Sequence, residues 1–121
     1  MSGGAAEQRP TPDDPEDLKL ITLARATLGR TGAAQGAAIR DTEGRAYAAA
    51  SVHLEHLKLS AVAVAVAMAV SSGAGGLEAV AFVAAQEPTD TDLEVVRDLA
   101  VDGAVVWWTD ARGTVQSMIE L

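Results

Sequence analysis

The chain contains no cysteine. Disulfide bonds and thiolate metal sites are therefore excluded, and the composition suits a reducing compartment. Aromatic residues are also scarce, at 3% of 121 residues, although hydrophobic residues make up 49%. The length fits one domain, whose core must be built mainly from Ala, Val and Leu. We expect its helices and strands to pack close together, because small side chains fill little volume.

Basic residues are also few, with 9 Lys and Arg against 17 Asp and Glu. The formal net charge is −8 and the pI is near 4.5. Nucleic-acid backbones and anionic membranes would repel such a surface, so neither is an expected partner. The N-terminal residues lack the basic and apolar segments of a signal peptide, and the apolar run 61–70 is too short to span a bilayer. We therefore expect a cytoplasmic protein.

The beginning of the chain divides into a leader and a domain. Residues 1–14 show no hydrophobic periodicity, which predicts a disordered leader before a domain of residues 15–121. Asp14 is a good N-cap and a proline follows it, so the first helix should begin there. Gly29 or Gly32 is expected to end that helix.

The rest of the chain alternates between strand-like and helical segments. Five segments are strand-like: residues 36–40, 45–52, 78–85, 104–108 and 114–119. Residues 60–72 are apolar on every side and are interpreted as a buried helix. A further helix is expected to begin at a capping box of Thr91 and Glu94 and to stop at Gly103. The order α-β-β-α-β-α-β-β predicts an α/β fold in three α-β-α layers, with a mixed five-stranded sheet.

Four strings in this order resemble the cytidine deaminase family. They are QGAAI at residues 35–39, the Glu43-Gly44 turn, AVSSG at residues 69–73 and TDARGT at residues 109–114. The resemblance covers roughly residues 18–121. It implies the cytidine deaminase-like fold, a zinc cofactor, and a homo-oligomer (a dimer or tetramer) with sites at subunit boundaries.

The chain departs from the family at the positions that carry the chemistry. In such enzymes a Cys-Ala-Glu or His-Ala-Glu string opens the second helix, where the first residue binds zinc and the Glu shuttles protons. The matching positions here are Ser60, Ala61 and Val62. The family's Pro-Cys-x-x-Cys string matches residues 88–92, which place Thr89 and Asp92 where the thiolates would stand. We therefore expect neither bound zinc nor zinc-dependent deamination.

The ligand contacts implied by the resemblance are altered too. The family's ribose-binding Asn-x-Glu-Asn string falls near Ser51 and His53, and Ala33 takes the place of a Phe that flanks the base. Ser51, His53, Ser60, Thr89 and Asp92 are the candidates to line the remaining pocket. Ser60, Thr89 and Asp92 should lie near one another around the lost metal position, where Asp92 could bind a hard cation. The alternative is that Thr89 and Asp92 are only helix caps.

Two other groups of residues attract attention. His53, Glu55 and His56 could reach one metal ion if their segment were helical, whereas a loop or strand end would leave them partly exposed. Trp107 and Trp108 should point to opposite faces of a strand, with one in the core and the other exposed or at a subunit contact. The alternative is that both are partly buried on the sheet.

Three functions are compatible with the sequence. The first is a non-catalytic relative of cytidine deaminase with a binding, regulatory or scaffold role. The second is an active nucleoside deaminase or related hydrolase with an atypical site. The third is a sensor whose emptied pocket still holds a nucleoside-like small molecule, although the missing Asn-x-Glu-Asn string argues against ribose recognition.

Overall fold

A computed structural model describes residues 10–121 of the 121-residue chain. The predicted leader therefore lies mostly outside the described residues. The helices are α1 (Pro15–Thr31), α2 (Ala61–Ser71) and α3 (Asp90–Arg97). The strands are β1 (Gly36–Asp41), β2 (Ala46–Ala50), β3 (Val52–His53), β4 (Lys58–Leu59), β5 (Leu77–Val83), β6 (Ala100–Thr109) and β7 (Val115–Glu120). None of these helices is both long enough and apolar enough to cross a membrane.

Five of the strands form one mixed sheet in the order β2-β1-β5-β6-β7. The β5–β6 pair is parallel because α3 connects its strands, and the other neighbours are antiparallel. Side chains alternate between the two faces of this sheet. One face packs on α1, and the opposite face packs on α2 and α3. The predicted three-layer α/β fold with a five-stranded mixed sheet is confirmed.

Small residues let α1 lie directly on the sheet. A Cβ atom added to Gly36 would come within 2.5 Å of the Ala24 carbonyl oxygen and 3.0 Å of the Leu28 Cβ. Only glycine fits at this start of β1. Of the two predicted helix ends, Gly32 is the correct one, since its backbone is left-handed and its N–H donates to the Leu28 carbonyl.

The two tryptophans lie on opposite faces of β6, as predicted. Trp107 is buried on the α1 side, and its indole Nε1 donates to Asp17 Oδ2 at 3.0 Å. Trp108 is partly buried on the other side, and its Nε1 donates to the Ala84 carbonyl oxygen at 3.0 Å. Both indole donors are therefore satisfied within the subunit.

Two predictions about the region after β5 are wrong by a few residues. The capping box uses Thr89 and Asp92, because the backbone turns into the helix directly after Pro88. Thr91 already lies inside α3. Gly103 does not end that helix, which stops at Arg97. Gly103 has φ +82 within β6, where the register of pairing with β5 shifts, so its left-handed backbone accommodates an irregularity in the strand.

The β1–β2 turn is organised by the buried carboxylate of Asp41. Its Oδ1 accepts from the backbone N–H groups of Glu43 and Arg45, each at 2.9 Å. Its Oδ2 accepts from Arg45 Nε at 3.0 Å and from the Tyr47 hydroxyl at 2.9 Å. Burial opposes ionisation of this carboxyl, but the hydrogen bonds from Arg45 N–H, Tyr47 and Glu43 N–H outweigh it and lower its pKa.

We expect the Asp41→Asn variant to lose part of the pH dependence of stability. Because the pKa of Asp41 is lowered on folding, its stabilisation is fully present above about pH 4 and disappears as the pH falls through the folded value. Thermal unfolding of both proteins between pH 7 and pH 2 measures this. The melting temperature of the wild type should fall more steeply in acid. Parallel curves below about pH 4 would contradict the assignment.

Candidate functional site

The amino end of α2 is the first part of the candidate site. Ser60 is the N-cap, and its Oγ accepts from the Ala63 N–H at 3.1 Å. The Ala61 N–H donates to the side-chain Oε1 of Gln35 at 3.0 Å, which links this helix end to the residue before β1. Side-chain acceptors of the chain itself thus satisfy two donors of the first turn.

Val62, the residue at the expected position of the proton carrier, is part of the hydrophobic core. Its side chain is 1% exposed, and it belongs to the cluster that includes Ile39, Phe82 and Val106. An alkyl group cannot carry a proton. This position therefore serves packing.

The amino end of α3 is closed by a reciprocal capping box. Thr89 Oγ1 accepts from the Asp92 N–H at 3.1 Å, and Asp92 Oδ2 accepts from the Thr89 N–H at 3.3 Å. The Asp92 side chain is buried. Both residues are engaged in stabilising the helix start, so the capping alternative accounts for them.

The donor set at these two helix ends does not fit zinc. Protein zinc sites use thiolates, imidazoles and carboxylates. Ser60 and Thr89 offer neutral hydroxyls that already accept hydrogen bonds from the backbone, and the carboxylate of Asp92 is held by its own cap. Throughout residues 10–121, no group of three His, Cys, Asp or Glu side chains could hold a metal ion.

The metal site suggested by His53, Glu55 and His56 required a helical segment, and the structure has the alternative of a strand end and a turn. His53 lies in β3, whereas Glu55 and His56 lie in the turn between β3 and β4, which is closed by the Leu54 N–H donating to Leu57. His56 Nδ1 is 3.9 Å from a Glu55 carboxylate oxygen, and both side chains are almost fully exposed. Because this segment is a two-stranded hairpin, the two histidines do not share a helical face.

A surface cleft of about 410 Å³ lies beside the amino end of α2. It brings together three of the predicted pocket residues, Ser51, His53 and Ser60, whereas Thr89 and Asp92 do not line it. Its walls are formed by Ala34, Gln35, Ser51, Val52, His53, Lys58, Leu59 and Ser60.

Two residues that line this cleft, Gln35 and Lys58, were not predicted from the sequence as site residues. Gln35 is held by two contacts with Ser51, whose Oγ accepts from the Gln35 N–H at 3.1 Å and whose N–H donates to the Gln35 carbonyl at 3.0 Å. The sequence feature that could have identified Gln35 is its position as the first residue of the QGAAI string. Lys58 is placed by the β3–β4 hairpin, which the sequence did not indicate.

A larger surface hollow, of about 520 Å³, lies along α1 near Arg25 and Ala111. It contains none of the predicted site residues. The cleft at α2 is therefore the better candidate for a functional site.

Comparisons with known proteins identify the family to which this fold belongs. A cytidine deaminase-like family model matches residues 13–113, so the chain belongs to the cytidine deaminase-like family. No curated protein matches the sequence.

Solved cytidine deaminases have a similar fold. The enzyme from Burkholderia pseudomallei superposes with a TM-score of 0.74 at 21% identity, over 85% of this chain and 91% of the other. The enzyme from Mycobacterium leprae gives a TM-score of 0.66 at 19% identity, covering 85% and 93% of the two chains. That from Mycobacterium tuberculosis gives 0.66 at 20% identity, covering 86% and 91%. Identities this low support the fold alone.

Proposed function

We propose that this chain is a non-catalytic member of its family with a binding, regulatory or scaffold role. The observation that carries the proposal is the burial of Val62 among core side chains, at the position where the reaction needs a proton carrier. Such a carrier contributes about 10²–10⁴-fold to a rate. The occupied caps at Ser60, Thr89 and Asp92 support the same conclusion, and the cysteine-free composition fits a cytoplasmic location.

Zinc binding tests the proposal directly. We expect the purified chain, dialysed against equimolar zinc and then against buffer, to retain well under one zinc per chain, since its hydroxyl donors are weak ligands for this ion. Elemental analysis measures the ratio. A cytidine deaminase with its thiolate ligands, treated in parallel, should retain one zinc per subunit. Stoichiometric zinc on this chain would refute the proposal.

We also propose that two copies of the chain associate through the outer face of α2. Residues 59–77 contain no charged side chain, although Val70 is 54% exposed and Met68 is 40% exposed. A chain with a net charge of −8 repels its own copies over most of its surface. This uncharged apolar face lets two copies meet without opposing like charges, so a second copy is the partner it fits.

The Val70→Lys variant should be monomeric at concentrations at which the wild type is a dimer or larger. Burying an unpaired ammonium group in an apolar contact is unfavourable, and the loss should be at least tenfold in dissociation constant. Light scattering after size-exclusion chromatography measures the mass. Leu18→Lys is the matched control, because Leu18 is 47% exposed on α1 in the opposite layer. A monomeric wild type would overturn this assignment.

A further inference from the structure

The cleft beside α2 carries positive charge in an otherwise acidic chain. His53 and Lys58 are directly opposite each other across the β3–β4 pair, so their side chains share one face of the hairpin, and both line the cleft. Neither forms an ion pair with any residue from 10 to 121, and no carboxylate lines the cleft. The ammonium group of Lys58 thus offers an unbalanced positive charge to whatever occupies the cleft, and the imidazole of His53 lies beside it.

The uncharged polar groups of the cleft present mainly donors. The Gln35 amide must turn its Oε1 toward the Ala61 N–H, which leaves its Nε2 hydrogens without a partner among the described residues. The hydroxyls of Ser51 and Ser60 each already accept a backbone N–H, so their protons are available to donate. A ligand that fits these groups must be rich in acceptors.

The amino end of α2 also contributes positive electrostatic potential to the cleft. The first turn of α2 contains no acidic residue, and its N-cap lines the cleft. No negatively charged side chain of the first turn therefore balances the partial positive charge of the helix start, although Gln35 and Ser60 accept from two of its N–H groups. The helix start contributes less positive potential to the cleft than the side chains do, and both contributions favour an anion.

From these observations we propose that the cleft binds a small molecule through an oxyanion group, a phosphate or a carboxylate. This inference rests on the proposed non-catalytic function and names the ligand class of that site. The ammonium group of Lys58, the Nε2 donors of Gln35 and the hydroxyls of Ser51 and Ser60 would hold the anion. The neutral hydroxyls of a nucleoside would leave the charge unmatched.

The test is a nuclear magnetic resonance titration of the nitrogen-15-labelled, full-length chain at constant ionic strength. The probes are inorganic phosphate, succinate, cytidine 5′-monophosphate and cytidine. We expect one or more of the three anions to move the Gln35 side-chain amide signals and the backbone amide signals of Ser60 and Ala61 at up to about 10 mM, and cytidine to leave them unchanged. The backbone signals also report the affinity of variants that lack the Gln35 amide. Phosphate without succinate, or the reverse, would identify which oxyanion is bound.

The Gln35→Glu variant is expected to weaken anion binding without reducing the stability of the fold. Its carboxylate can still accept from the Ala61 N–H and should favour the helix start, so the melting temperature should stay the same or rise. The same change replaces the Nε2 donors by a negative charge, and anion affinity should fall about tenfold or more. Lys58→Gln should weaken binding about threefold, because Lys58 is exposed.

Arg97→Gln is the control for net charge, since it removes one positive charge outside the cleft. It should change the affinity much less than the other two variants. No signal change with any anion, equal binding of cytidine and the anions, or equal losses in Arg97→Gln and Gln35→Glu would each overturn the inference. The titration uses metal-free protein and needs no turnover, so zinc binding or deamination would refute the non-catalytic function separately.

Discussion

Replacing Asp17 with alanine is expected to destabilise the fold by about 3 kcal/mol. Asp17 Oδ1 lies 2.9 Å from Arg40 Nη1, and its Oδ2 accepts from the Trp107 indole. The side chains of Asp17 and Arg40 are 10% and 12% exposed. Removing one partner of a buried pair leaves the other charge poorly solvated, at a cost of about 3–5 kcal/mol. Glu78 still pairs with Arg40 Nε in the variant, so we expect a loss of stability at the lower end of this range.

Urea unfolding measures this loss. The midpoint should fall by roughly 1–3 M, because the slope for a small domain is about 1–3 kcal/mol/M. Asp17→Asn keeps an acceptor for Trp107 while it removes the charge, and should fall between the wild type and Asp17→Ala. If Asp17→Ala unfolds at the wild-type midpoint, the buried pair has no structural role.

The Val62→Glu variant restores the carboxyl group that the family uses and should nevertheless be both unstable and inactive. Val62 is 1% exposed in an apolar cluster, so a carboxylate there would be removed from water. We expect a loss of roughly 3–5 kcal/mol in the free energy of unfolding, measured by urea denaturation at pH 7.

The pH dependence of Val62→Glu gives a second measurement. Burial would raise the pKa of the introduced carboxyl above its unfolded value near 4.3. An acid with a raised folded pKa penalises folding increasingly as the pH rises from the unfolded to the folded value. The variant should therefore be closer to the wild type at pH 4 than at pH 8.

Val62→Ala is the control for lost packing, because it creates space without charge. It should cost about 2 kcal/mol and show no additional pH dependence. A Val62→Glu protein as stable as the wild type at pH 8 would mean that the position opens to solvent, which contradicts the description of a packed site.

Much of the fold could be predicted from the sequence because local signals and burial agree. Capping chemistry located the start of α1 at Asp14 and reduced its end to two glycines, of which Gly32 is the one used. The β3–β4 hairpin was missed because two-residue strands show no periodicity. The start of α3 was misplaced because Thr89 with Asp92 and Thr91 with Glu94 both fit the same capping pattern. Only the tertiary packing that buries Asp92 decides between them.

The candidate site could be predicted only in part, for a similar reason. Ser60 and Val62 were located by counting back from the AVSSG string, since a helix fixes the spacing. Gln35 contacts Ala61 across 26 positions, and no local pattern indicates such a contact. An acidic residue in the first helical turn, such as Asp17, is typical of one that complements the helix dipole, and no local pattern indicates its indole and guanidinium partners on distant strands.

The most direct test of the central claim is the ultraviolet absorbance of cytidine incubated with this chain in the presence of zinc. A cytidine deaminase serves as the positive control. The packed Val62 and the capped hydroxyls predict no decline of absorbance beyond the protein-free rate and no ammonia release. Zinc-dependent conversion of cytidine to uridine, many times per chain, would contradict the account.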